Sequence, residues 1–318
     1  MWHNGGGVSI GSVINCMHHV MVALLGQHND FIQMPGVDSE DAELACMFVE
    51  GRTCPGWRNG IFAADGSAIP LFQKPGYFGE TFYDRKSTYS MNCQVRTVRV
   101  EKQSGLSESI WQLVIMLHNL RIIDYGLGHP GSVHDAHAFL GTWVVQDPAG
   151  MIPPDHWIWA DSTYPLQTWC VVPFKLTKST GLSWSRNVYN KHLSKVTYCS
   201  KVSITFNQRP PKVRIRVEHA FVALKGRFQS LRELQLVMRT QKNVKVAMHW
   251  IQCCLILHNM ILQFKEELGV EKTTNWAQRE GVEPYRPGAP VVVEAANGTP
   301  GQVFRADLMA RFFEHLQQ

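Results

Sequence analysis

Apolar residues recur at helical spacing over 8–26 (Val13, Ile14, Met17, Val20, Met21, Leu24), and Ser9 stands ready to cap the start. That pattern predicts a helix. A second helix is predicted over 38–49, where acidic residues in the first turn suit the positive end of the helix dipole. From Gly60 the pattern changes. The stretch 61–71 is short and apolar around Asp65-Gly66, 88–99 alternates apolar with polar, and 119–126 and 157–160 are further short apolar runs. Each reads as a strand, with a helix-like stretch over 134–145 between the last two. Beyond Pro173 the chain is polar, and long helical patterns follow over 213–231 and 244–267. Strands followed by helices indicate an α/β core. The segment 272–301, rich in Gly, Pro and Ala, reads as a linker, and 302–318 as a terminal helix.

Composition narrows the class. The 318 residues are 45% hydrophobic, enough to bury a real core. The longest apolar runs are broken by polar residues before the length of a bilayer span, so no membrane segment is expected. The start, MWHNGGG, lacks the basic and apolar parts of a secretory signal. Eight scattered cysteines form no repeated C-x-x-C pair, which supports neither a zinc finger nor a disulfide framework, and Cys253 and Cys254 read as core. The net charge of +5 is modest, but its distribution is uneven: ten Lys and Arg against Glu218 and Glu233 lie between Arg209 and Lys245. Such a patch suits a polyanion, as it also suits a solvated helix face.

Three acids sit where chemistry would need them. Asp65 lies in IFAADGSAIPL, on a strand; Asp161 lies in HWIWADSTYPL, between an apolar strand and a turn; Glu218 lies in KVRIRVEHAFVALKGRF, beside the apolar stripe of Val217, Phe221 and Leu224. Phosphodiester cleavage needs an activated water and a stabilised leaving oxygen, which two divalent ions held by a few carboxylates on rigid elements provide. Taken singly, each acid also suits a turn or a cap.

The words around these acids add a resemblance. ADGSAIPL, FYDRKSTYSMN, GHPGSVHDAHAF, ADSTYPLQTWCVVPF, VRIRVEHAFVALKGRFQSL and CCLILHNMI, in that order, resemble the DDE endonuclease domain of PIF/Harbinger-type transposases over 51–264. The resemblance implies an RNase H-like fold, a central mixed sheet flanked by helices, over 51–265. It places the family's two Asp and one Glu on Asp65, Asp161 and Glu218, with Asp135 as an accessory metal ligand, and implies two Mg²⁺ or Mn²⁺ ions. Lys225, seven residues after Glu218 and on the same helix face, matches the family's DNA-contacting lysine, and Arg214 its arginine; the usual tyrosine is Pro211 here. Arg227, Arg85 and Lys86 are further expected DNA contacts, each equally at home on a solvated surface. His134 and His219 adjoin proposed acids, and His258-Asn259 reads as core. The resemblance further implies DNA as substrate, nuclear localisation and a Myb-like DNA-binding partner.

Three stretches depart from the family. About 20 residues over 96–117 and those over 196–211 read as insertions, each beginning at or beside a valine, whose codons start with the GT of an intron donor. Retained introns and genuine surface loops both account for them. At the start, GVSIGSVINCMHHVMVAL resembles only the end of the family's helix-turn-helix-like region, so 1–50 is expected to be a short helical remnant and 266–318 a linker with a terminal helix. Two functions are expected from these features: a metal-dependent endonuclease and strand transferase, or a domesticated or decayed descendant that binds DNA or a protein without cutting.

Overall fold

A computed structural model describes residues 7–76, 90–91, 111–127, 139–175, 182–196, 216–269 and 298–317. Strand β1 (Phe62–Ser67) is central because Phe62, Ala63 and Ala64 are buried on both faces of the sheet, the signature of a strand covered from two sides. On one side it pairs antiparallel with β4 (Trp111–Met116), which pairs antiparallel with β5 (Ile122–Gly126). On the other side β6 (Ile158–Trp159) and then β7 (Cys170–Val171) run parallel to it. The order β5-β4-β1-β6-β7 is the mixed sheet expected of an RNase H-like fold. A separate pair, β2 (Ile69–Pro70) and β3 (Ser90–Met91), follows β1.

Helices flank the sheet. Helix α1 (Ile10–Gly26) is capped by Ser9, which accepts from the Ser12 amide, and a short α2 (His28–Phe31) follows it. Ser39 caps α3 (Glu40–Glu50), with Glu40, Asp41 and Glu43 in the first turn. After two single turns, α4 (Trp143–Gln146) and α5 (Pro148–Met151), come α6 (Trp184–Val196), α7 (Arg216–Arg227), α8 (Gln241–Glu267) and α9 (Pro300–Gln317). Thr240 and Asn243 close a capping box at the start of α8. By length and composition α8 is the one helix among the described residues apolar enough to cross a bilayer, with mean hydropathy 1.2. Its apolar side is instead spent on the core: Ile251, Cys254, Leu255 and Ile256 are buried, and α1 lies against it.

Several elements differ from the sequence expectation. Within the 96–117 stretch, read as an insertion, Trp111–Met116 is a strand between β1 and β5, and Leu113 to Leu117 are fully buried. Its short apolar run suits a strand covered on both faces, but the family resemblance sets the stretch outside the sheet. The rest of that stretch, and 197–211 of the second, lie outside the described residues. Helix α6 stands in the region read as polar, because among its described side chains only Tyr189 and Leu193 are buried. The pattern over 213–231 yields a shorter α7 and a separate 3-10 turn, Gln229–Leu231, with the backbone leaving helical geometry at Phe228.

Helix α9 is locked to the sheet through aromatic rings. Trp57 stacks on Phe312 at 5.0 Å, meets Trp159 at 5.2 Å and Tyr189 at 5.3 Å, and donates its indole N–H to the Leu308 carbonyl at 2.8 Å. Gly60 sits under the indoles of Trp157 and Trp159, where any Cβ would collide with both. The Trp159 indole N–H then reaches the Gly60 carbonyl at 2.7 Å. Strand β6, two residues before Asp161, is therefore held by the terminal helix as well as by β1.

Candidate metal and nucleic-acid site

Both aspartates lie just past the paired stretch of β1 and β6. Phe62 pairs with Ile158 and Ala63 with Trp159 in parallel; Asp65 follows two residues later on β1, and Asp161 two residues beyond the end of β6. Parallel neighbours lie about 4.8 Å apart across the ladder, and Asp65 and Asp161 both lie toward the carboxyl ends of β1 and β6. Both are partly exposed, as residues that meet a soluble ligand must be. Each is braced by the residue after it: the Gly66 amide donates to Asp65 Oδ1 at 2.8 Å and the Ser162 amide to Asp161 Oδ1 at 2.6 Å. The Thr163 hydroxyl adds a donor to Asp161 Oδ2 at 3.3 Å, and the Tyr164 amide closes the turn on the Asp161 carbonyl at 3.0 Å. These bonds restrict the side chains before any ligand arrives.

The helix that carries the third acid packs on the same strand. Val217, Ala220, Phe221 and Leu224 of α7 are buried against β1 and β4, a stripe at i, i+3, i+4 and i+7. Glu218 and Lys225 flank one side of that stripe. Lys225 Nζ donates to Ser67 Oγ at 2.8 Å and to the Ala68 carbonyl at 2.9 Å. Both acceptors lie just beyond Asp65, so Lys225 is turned toward the Asp65 end of β1. The Glu218 side chain itself lies outside the described residues, although its backbone belongs to α7.

Other expected contacts fall elsewhere. Arg227 turns inward, its Nη1 3.0 Å from His258 Nδ1. Desolvation pulls its pKa down, and burial together with Arg227 pulls the His258 imidazole down to about 3. His258 is thus a neutral ring that accepts from Arg227. Asp135, Arg214, Arg85, Lys86 and His134 lie outside the described residues, and His219 is buried.

Sequence reading missed two contributions to this region. Thr163 supports Asp161, a role legible in principle from the Asp-Ser-Thr order. Ser67 and Ala68 receive Lys225, which no sequence spacing announces. Asn259, read as core, clamps an edge strand: it takes the Ile122 amide at 3.0 Å and donates to the Ile122 carbonyl at 2.6 Å and the Phe31 carbonyl at 2.7 Å.

Among the described residues no three His, Cys, Asp or Glu side chains gather as a metal cluster; the side chains of Glu218 and Asp135 are not among them. Asp65 and Asp161 offer oxygen donors alone, which fits a hard divalent ion such as Mg²⁺ or Mn²⁺. The model of one family, described as DDE superfamily endonuclease, matches residues 64–259. Neither the curated proteins nor the solved structures provide a match.

Proposed function

The chain belongs to the DDE superfamily endonuclease family, and from that premise we propose that it is a divalent-metal-dependent DNA endonuclease and strand transferase of the PIF/Harbinger transposase type. What supports this reading is the placement of Asp65 on β1 and of Asp161 two residues beyond β6, the strand that runs parallel to β1. Asp65, Asp161 and Glu218 would hold the ions, with Asp135 as an accessory ligand. Bound Mg²⁺ or Mn²⁺ supplies an activated water and relieves the charge on the leaving 3′-oxygen.

The chain's own residues do the positioning. The Ser162 amide and Thr163 hydroxyl fix the Asp161 carboxylate and draw on its charge, so that it keeps one orientation while substrate changes beside it. Lys225 holds the end of β1 against α7 and keeps a cation within one helical face of Glu218. DNA phosphates are engaged by Lys225, Arg214, Arg85 and Lys86, with Arg227 supporting from within through His258. A Myb-like partner for sequence recognition and a nuclear location belong to the same reading.

The test is nicking of supercoiled DNA by the purified chain with Mg²⁺ or Mn²⁺, beside Asp161→Ala. The parent is expected to nick and the variant to lose at least about a hundredfold in rate. Equal nicking by both removes Asp161 from the site. A parent that binds DNA in a salt-sensitive way but never nicks it transfers the reading to a descendant that binds without cutting.

A further inference from the structure

At the start of β1, on the far side of the sheet's length from the aspartates, two arginines meet over one aromatic ring. The guanidinium carbon of Arg216 lies 4.8 Å from the Phe48 ring centroid and that of Arg52 lies 4.5 Å from it. Arg216 is only 5% exposed. Its Nε and Nη2 donate to the Leu117 and His118 carbonyls at 2.6 and 2.7 Å, and Leu117 is tied to Ile61 at the entrance of β1. The placement is therefore rigid.

What the pair lacks among the described residues is a counter-charge. The nearby acids are engaged elsewhere: Glu43 and Glu50 with Arg58, and Asp41 with the His118 ring and Arg121. The Arg52 side chain makes no hydrogen bond or ion pair among the described residues, although it is half-buried. Burial, then the like charge of Arg52, drives the Arg216 pKa down to about 9. Two cations withdrawn from water beside each other are destabilising unless an anion joins them. Guanidinium forks match the oxygens of phosphate better than any other common anion, and an aromatic face suits their planes.

We propose that Arg52 and Arg216, brought together on Phe48, form a phosphate-binding site at the amino-terminal end of β1 and α7, distinct from Asp65 and Asp161. The phosphate is either one of the DNA backbone or that of a small phosphorylated ligand. The DNA source rests on the endonuclease reading above, whereas the site itself does not.

Thermal unfolding of the purified chain in inorganic phosphate against chloride, at matched ionic strength, tests it with Arg52→Gln as the variant. Phosphate well above its Kd is expected to raise the parent's Tm by a few degrees. Arg52→Gln is expected to lose that rise while its Tm in chloride equals or exceeds the parent's, since a like charge beside Arg216 has gone. A parent indifferent to phosphate overturns the site, as does a variant that responds equally. A variant with a lowered Tm in chloride also overturns it, because Arg52 would then be a structural partner of Phe48. The second arm measures DNA affinity against salt. A slope reduced by about one in Arg52→Gln assigns the site to the DNA backbone. An unchanged slope with the phosphate response confirmed assigns it to a small ligand. Loss of nicking in either protein alters neither measurement.

Discussion

Single residues here carry opposing electrostatic loads. Asp124 on β5 is buried, and desolvation raises its carboxyl to about 6 although the Val144 and Tyr125 amides donate to it at 3.0 and 2.7 Å. The folded chain therefore holds a proton on Asp124 that the unfolded chain has released. This group's contribution to stability is full below the ordinary carboxylate pKa and is lost as pH rises toward 6, by up to about 3 kcal/mol. His258 works the other way: with its folded pKa at about 3, the unfolded chain takes up the proton first, and stability is lost as pH falls below about 6.5. Urea denaturation at pH 4, 5, 6 and 7 should accordingly show Asp124→Asn gaining stability with pH more steeply than the parent. Parallel curves would refute the assignment. Lys225→Met should lose the two bonds to Ser67 and Ala68 and about 1–2 kcal/mol of stability, read from the same denaturation curves. Its effect on DNA binding is then separable from unfolding by working well below the midpoint.

Elements join the site to distant parts of the chain. Helix α9 follows the matched domain in sequence, yet it packs on Trp57 and faces β7. Gly301 at its start has no room for a Cβ, which would press on the Leu166 carbonyl and the Gln167 backbone at 2.8–2.9 Å. That loop leaves the turn containing Asp161. Gly301→Val should therefore cost about 1–3 kcal/mol of stability by displacing α9 from the loop, visible as a Tm drop together with altered tryptophan emission from Trp57 and Trp159. By contrast Thr240→Ala, which removes the capping box of α8 far from the carboxylates, should cost about 1 kcal/mol and leave the emission maximum unchanged.

At the scale of the whole molecule, the central strand carries Asp65 toward one end, and Arg216 bonds the Leu117 and His118 carbonyls beside its other end. If Asp65 and Asp161 hold a divalent ion, Mn²⁺ at a hundred times its Kd should stabilise the chain by about 2.7 kcal/mol. Calorimetry or chemical denaturation with and without the ion would show it, and Asp161→Asn should abolish the gain. Equal stabilisation of both proteins would place the ion elsewhere. This readout needs no DNA and no turnover, so it separates metal binding from cutting.

Much of this was legible in one dimension because it depends on local chemistry. The helices over 8–26 and 38–49 carry their own periodicity and serine caps, and β1 and β6 are short apolar runs ending in an acid and a turn. The order of the motif blocks was likewise enough to anticipate a mixed sheet of RNase H-like arrangement, with Asp65 on its central strand. Tertiary structure decided the rest, for reasons no local pattern contains. β4 is an apolar run like β1 and β6, but its place between β1 and β5 depends on pairing with strands on either side of it in the sheet, which its own sequence does not state. Arg227 reads as a surface cation but is drawn inward by a neutral histidine 31 residues away. The Arg52 and Arg216 pair exists only because α3 and α7 converge on Phe48. Local sequence sets what a segment prefers and which groups it carries; which of those groups share a dielectric environment is settled only when the segments pack.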